Sequence, residues 1–147
     1  MKGGAAERVA AVPDDVDRSR VVFMQADPLA LPPSLPAPFE AVVAANLLCR
    51  LRDPGAFLRR LPSLVRHGGV AVLASQHDWR EACTPRASWL GGYRDQKGEE
   101  VWTDEALARV LGPDFELLAR RDVPFLFREH ARRFMYGVSS VSVWKRR

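Results

Sequence analysis

The chain has little of what disulfide-bonded, metal-binding or membrane proteins need. Its 147 residues include two cysteines and three histidines, and no second Cys/His pair stands at ligand spacing, so we expect neither a disulfide framework nor a metal site. The longest nearly uncharged apolar run, residues 41–49, is about half as long as a membrane span. The first residues lack the apolar segment of a secretory signal. These absences favour a soluble, cytoplasmic protein that has no membrane partner.

Basic residues outnumber acidic ones, 22 to 18, which gives a net charge of +4. Much of the excess lies near the C-terminus, where the stretch from Arg120 to Arg147 holds eight basic and two acidic residues. Such a stretch can bind nucleic acid, and it can equally be a solvated face. No aromatic–basic RNA motif accompanies it. A nucleic-acid-binding module is therefore the least favoured of the functions that we consider.

Two apolar segments joined by one amphipathic segment form the clearest pattern in the chain. Residues 39–46 and 70–75 are apolar almost throughout, which is typical of strands buried on both faces. Between them, Asp53–Pro54 predicts a helix start with proline at the first helical position. We expect Pro62 to kink that helix and Gly68–Gly69 to end it. A strand, a helix and a strand build a parallel βαβ unit, so the pattern predicts an α/β fold.

The N-terminal side of this unit contains one further predicted strand. Residues 20–25 are rich in β-branched and aromatic side chains and predict a strand. Five prolines in residues 28–38 then exclude regular structure, so this stretch is a connecting loop. Residues 1–19 are weakly patterned. We therefore expect a weakly structured segment, 1–19, followed by one structured unit, 20–147.

The C-terminal side predicts a long loop, a helix and two strands. Residues 76–102 have no clear periodicity and are rich in aromatic side chains, and loops of this kind inside compact domains are often functional. Thr103 is the predicted N-cap of a helix, with acidic residues in its first turn, and Gly112–Pro113 should end it. Residues 115–119 predict a strand. Residues 136–144 alternate in polarity and suit an antiparallel strand.

With this order of elements, the chain resembles the C-terminal part of a class I S-adenosylmethionine-dependent methyltransferase. Such a domain usually has seven strands ordered 3-2-1-4-5-7-6 with the last strand antiparallel, and the strands here match the third to the seventh. Residues 22–27 resemble the segment whose acidic residue contacts adenine, and residues 43–46 resemble the strand end beside the methyl-donor sulfur. The resemblance implies S-adenosyl-L-methionine as cofactor, bound through Asp27 and Asn46. The alternatives are a turn former at Asp27 and a cap of the strand-to-helix turn at Asn46.

Position alone also makes Asn46 a candidate, because ligands of open parallel sheets bind at the carboxyl ends of strands.

Four segments in order are similar to the methyltransferase domain at the C-terminus of ovothiol synthases. They are residues 45–51, 84–93, 124–134 and 141–144, and the resemblance covers residues 12–147. It implies a transferase that N-methylates the imidazole of 4-mercaptohistidine, a small thiol-bearing histidine derivative, in ovothiol biosynthesis. Methyl transfer to a neutral nitrogen is an in-line displacement that depends chiefly on placing donor and acceptor, and it needs no metal.

Two groups of residues in these segments are candidates for holding the substrate. Arg50 stands beside apolar Leu48 and Leu51 and can clamp a carboxylate with two hydrogen bonds, although a surface arginine fits the pattern as well. The second group can form a lid over an aromatic substrate, or simply a loop that buries its tryptophan. Its residues are Trp89, Gly91, Gly92 and Tyr93.

A charged cluster closer to the C-terminus is the candidate for handling a proton. Glu129 and His130 can accept the proton that an imidazole nitrogen loses on methylation, and Arg128 can recognise a charged end of the substrate. The alternative is a solvated basic helix face. His77 and Asp78 can also reach the cleft, although the sequence favours a loop role for them.

The sequence also departs from the complete methyltransferase pattern. A complete domain begins with a strand and a glycine-rich loop for the methionine part of the cofactor, and a second strand follows; Gly3–Gly4 is not such a loop. We therefore expect a fragment whose first two strands are missing. Residues 20–25 and 39–46 would then pair directly or expose open edges, and such edges favour aggregation. A non-catalytic half-domain, completed by a partner that carries the missing half, is the alternative to an enzyme.

Overall fold

The fold is a small mixed α/β arrangement built on one main sheet. A computed structural model describes residues 11–147, so the predicted role of Gly3–Gly4 and the first half of segment 1–19 lie outside the described residues. In chain order the elements are β1 (Phe39–Ala45), α1 (Pro54–Leu64), β2 (Val65–Ser75), β3 (Tyr93–Arg94), β4 (Glu100–Val101), α2 (Thr103–Leu111), β5 (Phe115–His130) and β6 (Arg133–Arg146). Short 3-10 turns at Leu48–Arg50 and Arg86–Ser88 complete them.

The main sheet has four strands in the order β1-β2-β6-β5, and β3 and β4 form a separate two-stranded ribbon. β1 is parallel to β2, whereas β6 is antiparallel to both of its neighbours, β2 and β5. Three strands therefore run in one direction and the last strand runs against them. This confirms the predicted α/β sheet with an antiparallel C-terminal strand, although one of the three strand pairs is parallel and two are antiparallel.

The βαβ unit forms as predicted, but its helix ends earlier than the glycines suggested. Asp53 caps α1 by accepting a hydrogen bond from the backbone N–H of Ala56 at 2.8 Å. The predicted helix end at Gly68–Gly69 is wrong, because α1 ends at Leu64 and β2 follows at once. The glycines instead lie in an irregular first part of β2, where a Cβ on Gly69 would stand 2.8 Å from the carbonyl oxygen of Glu40. Glycine there permits the close approach of β1.

The core lies between the two helices and the sheet. Leu58 and Leu61 of α1 and Leu107 of α2 are almost fully buried, and they belong to one cluster with Leu73 of β2 and Trp144 of β6. Complete burial of a leucine contributes about 1.5–3 kcal/mol, so this cluster supplies most of the driving force for folding. α2 ends at Leu111, just before Gly112–Pro113, as predicted.

The prediction that residues 20–25 form a strand is wrong. Residues 21–27 have no regular structure, and Val22 and Phe23 are 79% and 94% exposed. A strand needs a neighbour for its backbone hydrogen bonds, and no strand of the described residues lies beside this segment. β1 itself pairs only with β2, so its other edge is open within residues 11–147. The two segments do not pair, and because residues 20–25 form no strand, the open edge predicted for both is seen only at β1.

The last two strands are much longer than predicted. The prediction gave residues 115–119 and 136–144, whereas β5 and β6 pair along 16 and 14 residues. Ser140 lies opposite Ser75 at the end of β2, so the residues of β6 before Ser140 pair with β5 alone. We call residues 123–139, which extend beyond β2, the hairpin arm. Pro124 is tolerated because β5 is an edge strand.

No helix among the described residues is long and apolar enough to cross a membrane.

Candidate functional site at the carboxyl edge of the sheet

Two strained backbone positions mark the carboxyl ends of β1 and β2. Within residues 11–147, Asn46 and His77 are the non-glycine residues with positive φ, at 51° and 54°. Their strands are adjacent, and the N–H of Asn46 donates to the carbonyl oxygen of Ala74 at 2.7 Å. Non-glycine residues held in the left-handed region cluster at functional sites. Both therefore lie where the parallel-sheet rule expects a ligand.

The side chain of Asn46 is free to meet a ligand. Asn46 is exposed, and its amide forms no hydrogen bond within the described part of the chain. The 3-10 turn that follows, with buried Leu48 and Cys49, has no side-chain cap. The backbone alone thus makes the turn after β1, and the amide is not used for capping.

An apolar groove, which we call the β1 groove, runs beside this strand end. It has a volume of about 340 Å³, and its walls include Pro28 and Leu31 from the proline-rich loop, Val42 of β1 and Leu47. Arg60 of α1 holds the loop in place by donating to the carbonyl oxygen of Pro28 at 3.2 Å. The groove therefore joins the segment after residue 27 to the end of β1.

Asp27 directly precedes Pro28, which lines this groove. One carboxylate oxygen accepts a hydrogen bond from the N–H of Leu29 at 2.9 Å, and its carbonyl accepts one from Ala30 at 2.9 Å. This is the turn-forming role that the sequence left open. The other carboxylate oxygen, Oδ2, remains available as an acceptor, so the two roles are compatible.

Arg50 is bound to the loop after β2. Its guanidinium donates to the carbonyl oxygen of Asp78 at 3.2 Å and lies 3.6 Å from the Asp78 carboxylate. Arg80 contacts the same carboxylate at 2.7 Å. The hydrogen bond from Arg80 and the charges of both arginines lower the pKa of Asp78. To clamp a substrate carboxylate, Arg50 would have to exchange part of this contact for the new one.

The predicted lid residues fall into two structural roles. Trp89 is half-buried, donates from Nε1 to the carbonyl oxygen of Thr84 at 2.8 Å and lies beneath the guanidinium of Arg86 at 5.4 Å. Gly91 is buried against the backbone at Trp102–Thr103, where no Cβ would fit. Both residues hold the loop against the protein.

Gly92 and Tyr93 line a cavity of about 300 Å³ together with Trp102. Gly92 has φ +78°, and its N–H donates to the carbonyl oxygen of Val101 at 2.8 Å. An ion pair between Arg94 and Glu100 forms part of the same wall. We call this space the aromatic cavity.

The charged cluster at the tip of the hairpin arm is satisfied by its own neighbours. Glu129 pairs with Arg133 at 2.6 Å, and Arg128 donates to the carbonyl oxygen of His130 at 3.2 Å. The tip stands at least six residues beyond the level of Ser75, roughly 20 Å at about 3.3 Å per residue. The structure therefore does not bring Glu129, His130 and Arg128 close to Asn46, and their roles stay predictions.

Sequence reasoning missed a polar cluster between α2 and the end of β2. Asp104 pairs with Arg120 of β5 at 3.0 Å and accepts a hydrogen bond from the hydroxyl of Ser140 of β6 at 3.4 Å. Asp122 lies opposite Ser140 in the sheet. Acidity in the first turn of α2 was the one available signal, since the cross-strand register that gathers these residues is not visible in the sequence.

The prediction that Thr103 is the N-cap of α2 is wrong by one residue. Trp102 occupies the N-cap position, and Thr103 is the first residue of α2. The hydroxyl of Thr103 accepts a hydrogen bond from Nε1 of buried Trp79 at 3.1 Å. The contact ties the loop after β2 to the start of α2, beside His77.

Comparison with solved structures identifies the fold. The chain is similar to a SAM-dependent methyltransferase from Methanosarcina mazei (15% identity, TM-score 0.54, 82% of this chain and 65% of that protein). It is also similar to a protein described for the conversion of a disulfide bond into a thioacetal group during echinomycin biosynthesis (16%, 0.55, 85% and 55%) and to the [4+2]-cyclase SpnF (20%, 0.52, 86% and 56%).

These likenesses show a shared Rossmann-like fold, that of class I methyltransferases, and the chain spans between 55% and 65% of the length of these proteins. Because one neighbour is named as a cyclase, the fold by itself does not fix the reaction. No family model matches the chain, and no curated protein sequence matches it. Nothing among the comparisons points to ovothiol synthase.

Proposed function

We propose that the chain is part of an S-adenosyl-L-methionine-dependent methyltransferase whose cofactor binds at the carboxyl edge of β1. The observation that carries the proposal is the sheet order β1-β2-β6-β5, which corresponds to strands 4-5-7-6 of a class I methyltransferase, with strained Asn46 at the end of the strand equivalent to the fourth. A SAM-dependent methyltransferase among the structural neighbours supports it.

The residues at this edge fit the adenosine end of the cofactor. The β1 groove, at about 340 Å³, is apolar and within the usual size range of ligand pockets, which suits a purine ring. Asp27 can accept a hydrogen bond from the purine amine, and the Asn46 amide can bind the part of the cofactor that lies beyond the end of β1. When bound, the cofactor would supply a methyl group carried on a positively charged sulfur.

We further propose that the methyl acceptor is the imidazole of a thiohistidine, as the resemblance to ovothiol synthases implies. The aromatic cavity beside Tyr93 and Trp102 offers an aromatic surface for a flat ring. Arg50 is the proposed partner of the carboxylate of the amino acid, whereas Arg128, Glu129 and His130 lie at the tip of the hairpin arm, away from this edge.

Calorimetric titration of the protein with S-adenosylmethionine tests the cofactor. We expect saturable heat from the wild-type protein and a weaker signal from Asn46→Gly, which loses the amide and keeps a backbone suited to positive φ. A mass-spectrometric assay with 4-mercaptohistidine, and histidine as the matched acceptor without sulfur, tests the substrate. Methylation of both at equal rates would contradict the thiohistidine proposal while leaving methyl transfer intact.

A second function is supported by the open edge of β1. Within the described residues, this edge has no partner strand, and Val43 is 67% exposed. A non-catalytic half-domain could add a strand of a partner here by sheet completion. Co-expression with a polypeptide that carries the first two strands and the glycine-rich loop of a class I methyltransferase domain would distinguish the two functions. Cofactor binding that requires the added half supports the half-domain, and binding by this chain alone supports the first proposal.

A further inference from the structure

The loop directly after β2 holds an imidazole in an unusual setting. His77 follows the end of β2, is half-buried and has the positive φ of 54° noted above. Its N–H donates to the hydroxyl of buried Ser75 at 3.1 Å, and its carbonyl accepts from the N–H of Trp79 at 3.1 Å. The backbone on both sides of His77 is thus held by hydrogen bonds.

Charged groups from α2 and β5 act on this position, and a hydroxyl from β6 contacts one of them. Asp104 comes from α2, and Arg120 and Asp122 come from β5, while Ser140 of β6 donates to Asp104. The charges of Asp104 and Asp122 act on the imidazole and raise its pKa, but burial lowers it more, so the pKa of His77 falls below the ordinary 6.5. Burial thus favours the neutral ring, and the charges of the two carboxylates favour its protonated form.

His77 is also close in the fold to the proposed cofactor site. The N–H of Asn46 donates to the carbonyl oxygen of Ala74, three residues before His77, so both strained positions lie at the carboxyl edge of the sheet. The tip of the hairpin arm, with Glu129 and His130, lies roughly 20 Å beyond that level at about 3.3 Å per residue. Of the imidazoles that the structure describes, His77 is the one at this edge.

We propose that His77 is the group that takes the proton from the methyl acceptor, with Asp104 and Asp122 stabilising the imidazolium that forms. This inference rests on the proposed methyltransferase function and assigns a residue to it. A neutral base beside carboxylates is the arrangement that proton acceptors commonly use.

The step balances in atoms and charge. The lone pair of the acceptor nitrogen forms a bond to the methyl carbon, and the bond from that carbon to sulfur breaks with its electron pair remaining on sulfur. Sulfur loses its positive charge, and the imidazole ring of the acceptor gains one, because its other nitrogen still carries a proton. His77 accepts this proton and later releases it to water, which regenerates the neutral imidazole.

Nuclear magnetic resonance provides a test that does not depend on activity. The chain has three histidines, so His77→Gln identifies the resonance of His77 by its disappearance. We expect its titration midpoint below 6.5, and a further decrease in both Asp104→Asn and Asp122→Asn, because each variant removes a charge that favours the imidazolium. A midpoint that neither variant changes would overturn the inference.

Kinetics provide the second test. In methyl transfer from S-adenosylmethionine to 4-mercaptohistidine, we expect His77→Gln to lower kcat about 10²- to 10⁴-fold, to leave the KM for the methyl donor unchanged and to abolish the acid limb of the pH–rate profile. His67→Gln is the matched control, since His67 lies in the first part of β2, at the opposite end of that strand.

The outcomes separate this inference from the function on which it rests. Full activity of His77→Gln with an unchanged pH profile would overturn the role of His77 alone. A wild-type protein that neither binds nor uses the methyl donor would overturn the proposed function, and the role of His77 with it.

Discussion

The two halves of β6 share one partner, β5, and have opposite environments. In its second half, Ser142 and Trp144 lie between β2 and β5 and are almost fully buried. In its first half, Phe134 and Tyr136 pair with β5 alone and are 57% and 69% exposed. Both halves are rich in apolar side chains. The difference shows that a third element, rather than apolar composition, decides whether a strand is buried.

A similar contrast separates the core of the molecule from three of its surface regions. The core cluster of α1, α2 and β2 is closed, whereas the hairpin arm, the open edge of β1 and residues 21–27 present apolar side chains to solvent. Large exposed apolar patches mark interaction sites. These three regions are therefore the surfaces where we expect a ligand or a partner to bind.

The largest effect that tests this contrast is a loss of core packing. Leu61→Ala removes a fully buried side chain and should lower the free energy of unfolding by about 2–5 kcal/mol. The matched change Leu126→Ala, at an arm residue that is 64% exposed, should change it by less than about 0.5 kcal/mol. Urea denaturation measures both. Equal losses would mean that the arm is packed in solution.

A smaller effect is expected from the strained end of β1. Asn46 has a φ of 51°, which alanine disfavours, so Asn46→Ala should lower the free energy of unfolding by about 1–2 kcal/mol. Asn46→Gly should lower it little, because glycine has no Cβ to clash. Thermal unfolding of the two variants separates backbone strain from loss of the amide. If both lost the same stability, the amide would contribute to folding as well.

The pH dependence of stability tests the setting of His77. Its pKa is lower in the folded protein than the ordinary 6.5, so the unfolded chain binds more protons just below pH 6.5. Stability should therefore rise with pH through the window below 6.5 and level off above it. His77→Gln should flatten this part of the profile, measured by urea denaturation at several pH values. An unchanged slope would show that other groups produce it.

A substitution at the open edge of β1 should have the smallest effect on stability and a measurable effect on solubility. Val43→Lys should change the free energy of unfolding by less than about 0.5 kcal/mol, because the side chain is 67% exposed. A charge on an edge strand opposes pairing between molecules, so solubility should increase. Light scattering at rising protein concentration measures this. Equal aggregation of both proteins would locate the association elsewhere, for which Leu126→Lys on the arm is the next variant.

The sequence predicted the parts of the fold that depend on local pattern. The βαβ unit, α2 and the antiparallel last strand follow from apolar periodicity and from signals such as Asp53–Pro54 and Gly112–Pro113. Residues 20–25 have a strand composition but no strand, because pairing depends on a neighbour that a local pattern does not reveal. Pro124 made the length of β5 hard to predict for a related reason. Proline interrupts a central strand but is tolerated in an edge strand, and a local pattern does not show which of the two a strand is.

The candidate site was predictable where it follows from topology and not where it follows from register. Asn46 was found because strand ends of parallel sheets bind ligands. The cluster of Asp104, Arg120 and Ser140 was missed, because α2, β5 and β6 bring it together across 36 residues of sequence. His77 was noted as able to reach the cleft, but a loop role was favoured, since its burial and its positive φ are properties of the folded chain.

The central claim is that the carboxyl edge of β1 binds S-adenosylmethionine, and titration calorimetry of this chain tests it most directly. We expect saturable heat from the wild-type protein and a reduced affinity for Asn46→Gly with unchanged thermal stability. No heat from the wild-type protein at millimolar cofactor, or equal affinity in Asn46→Gly, would contradict the assignment of this edge.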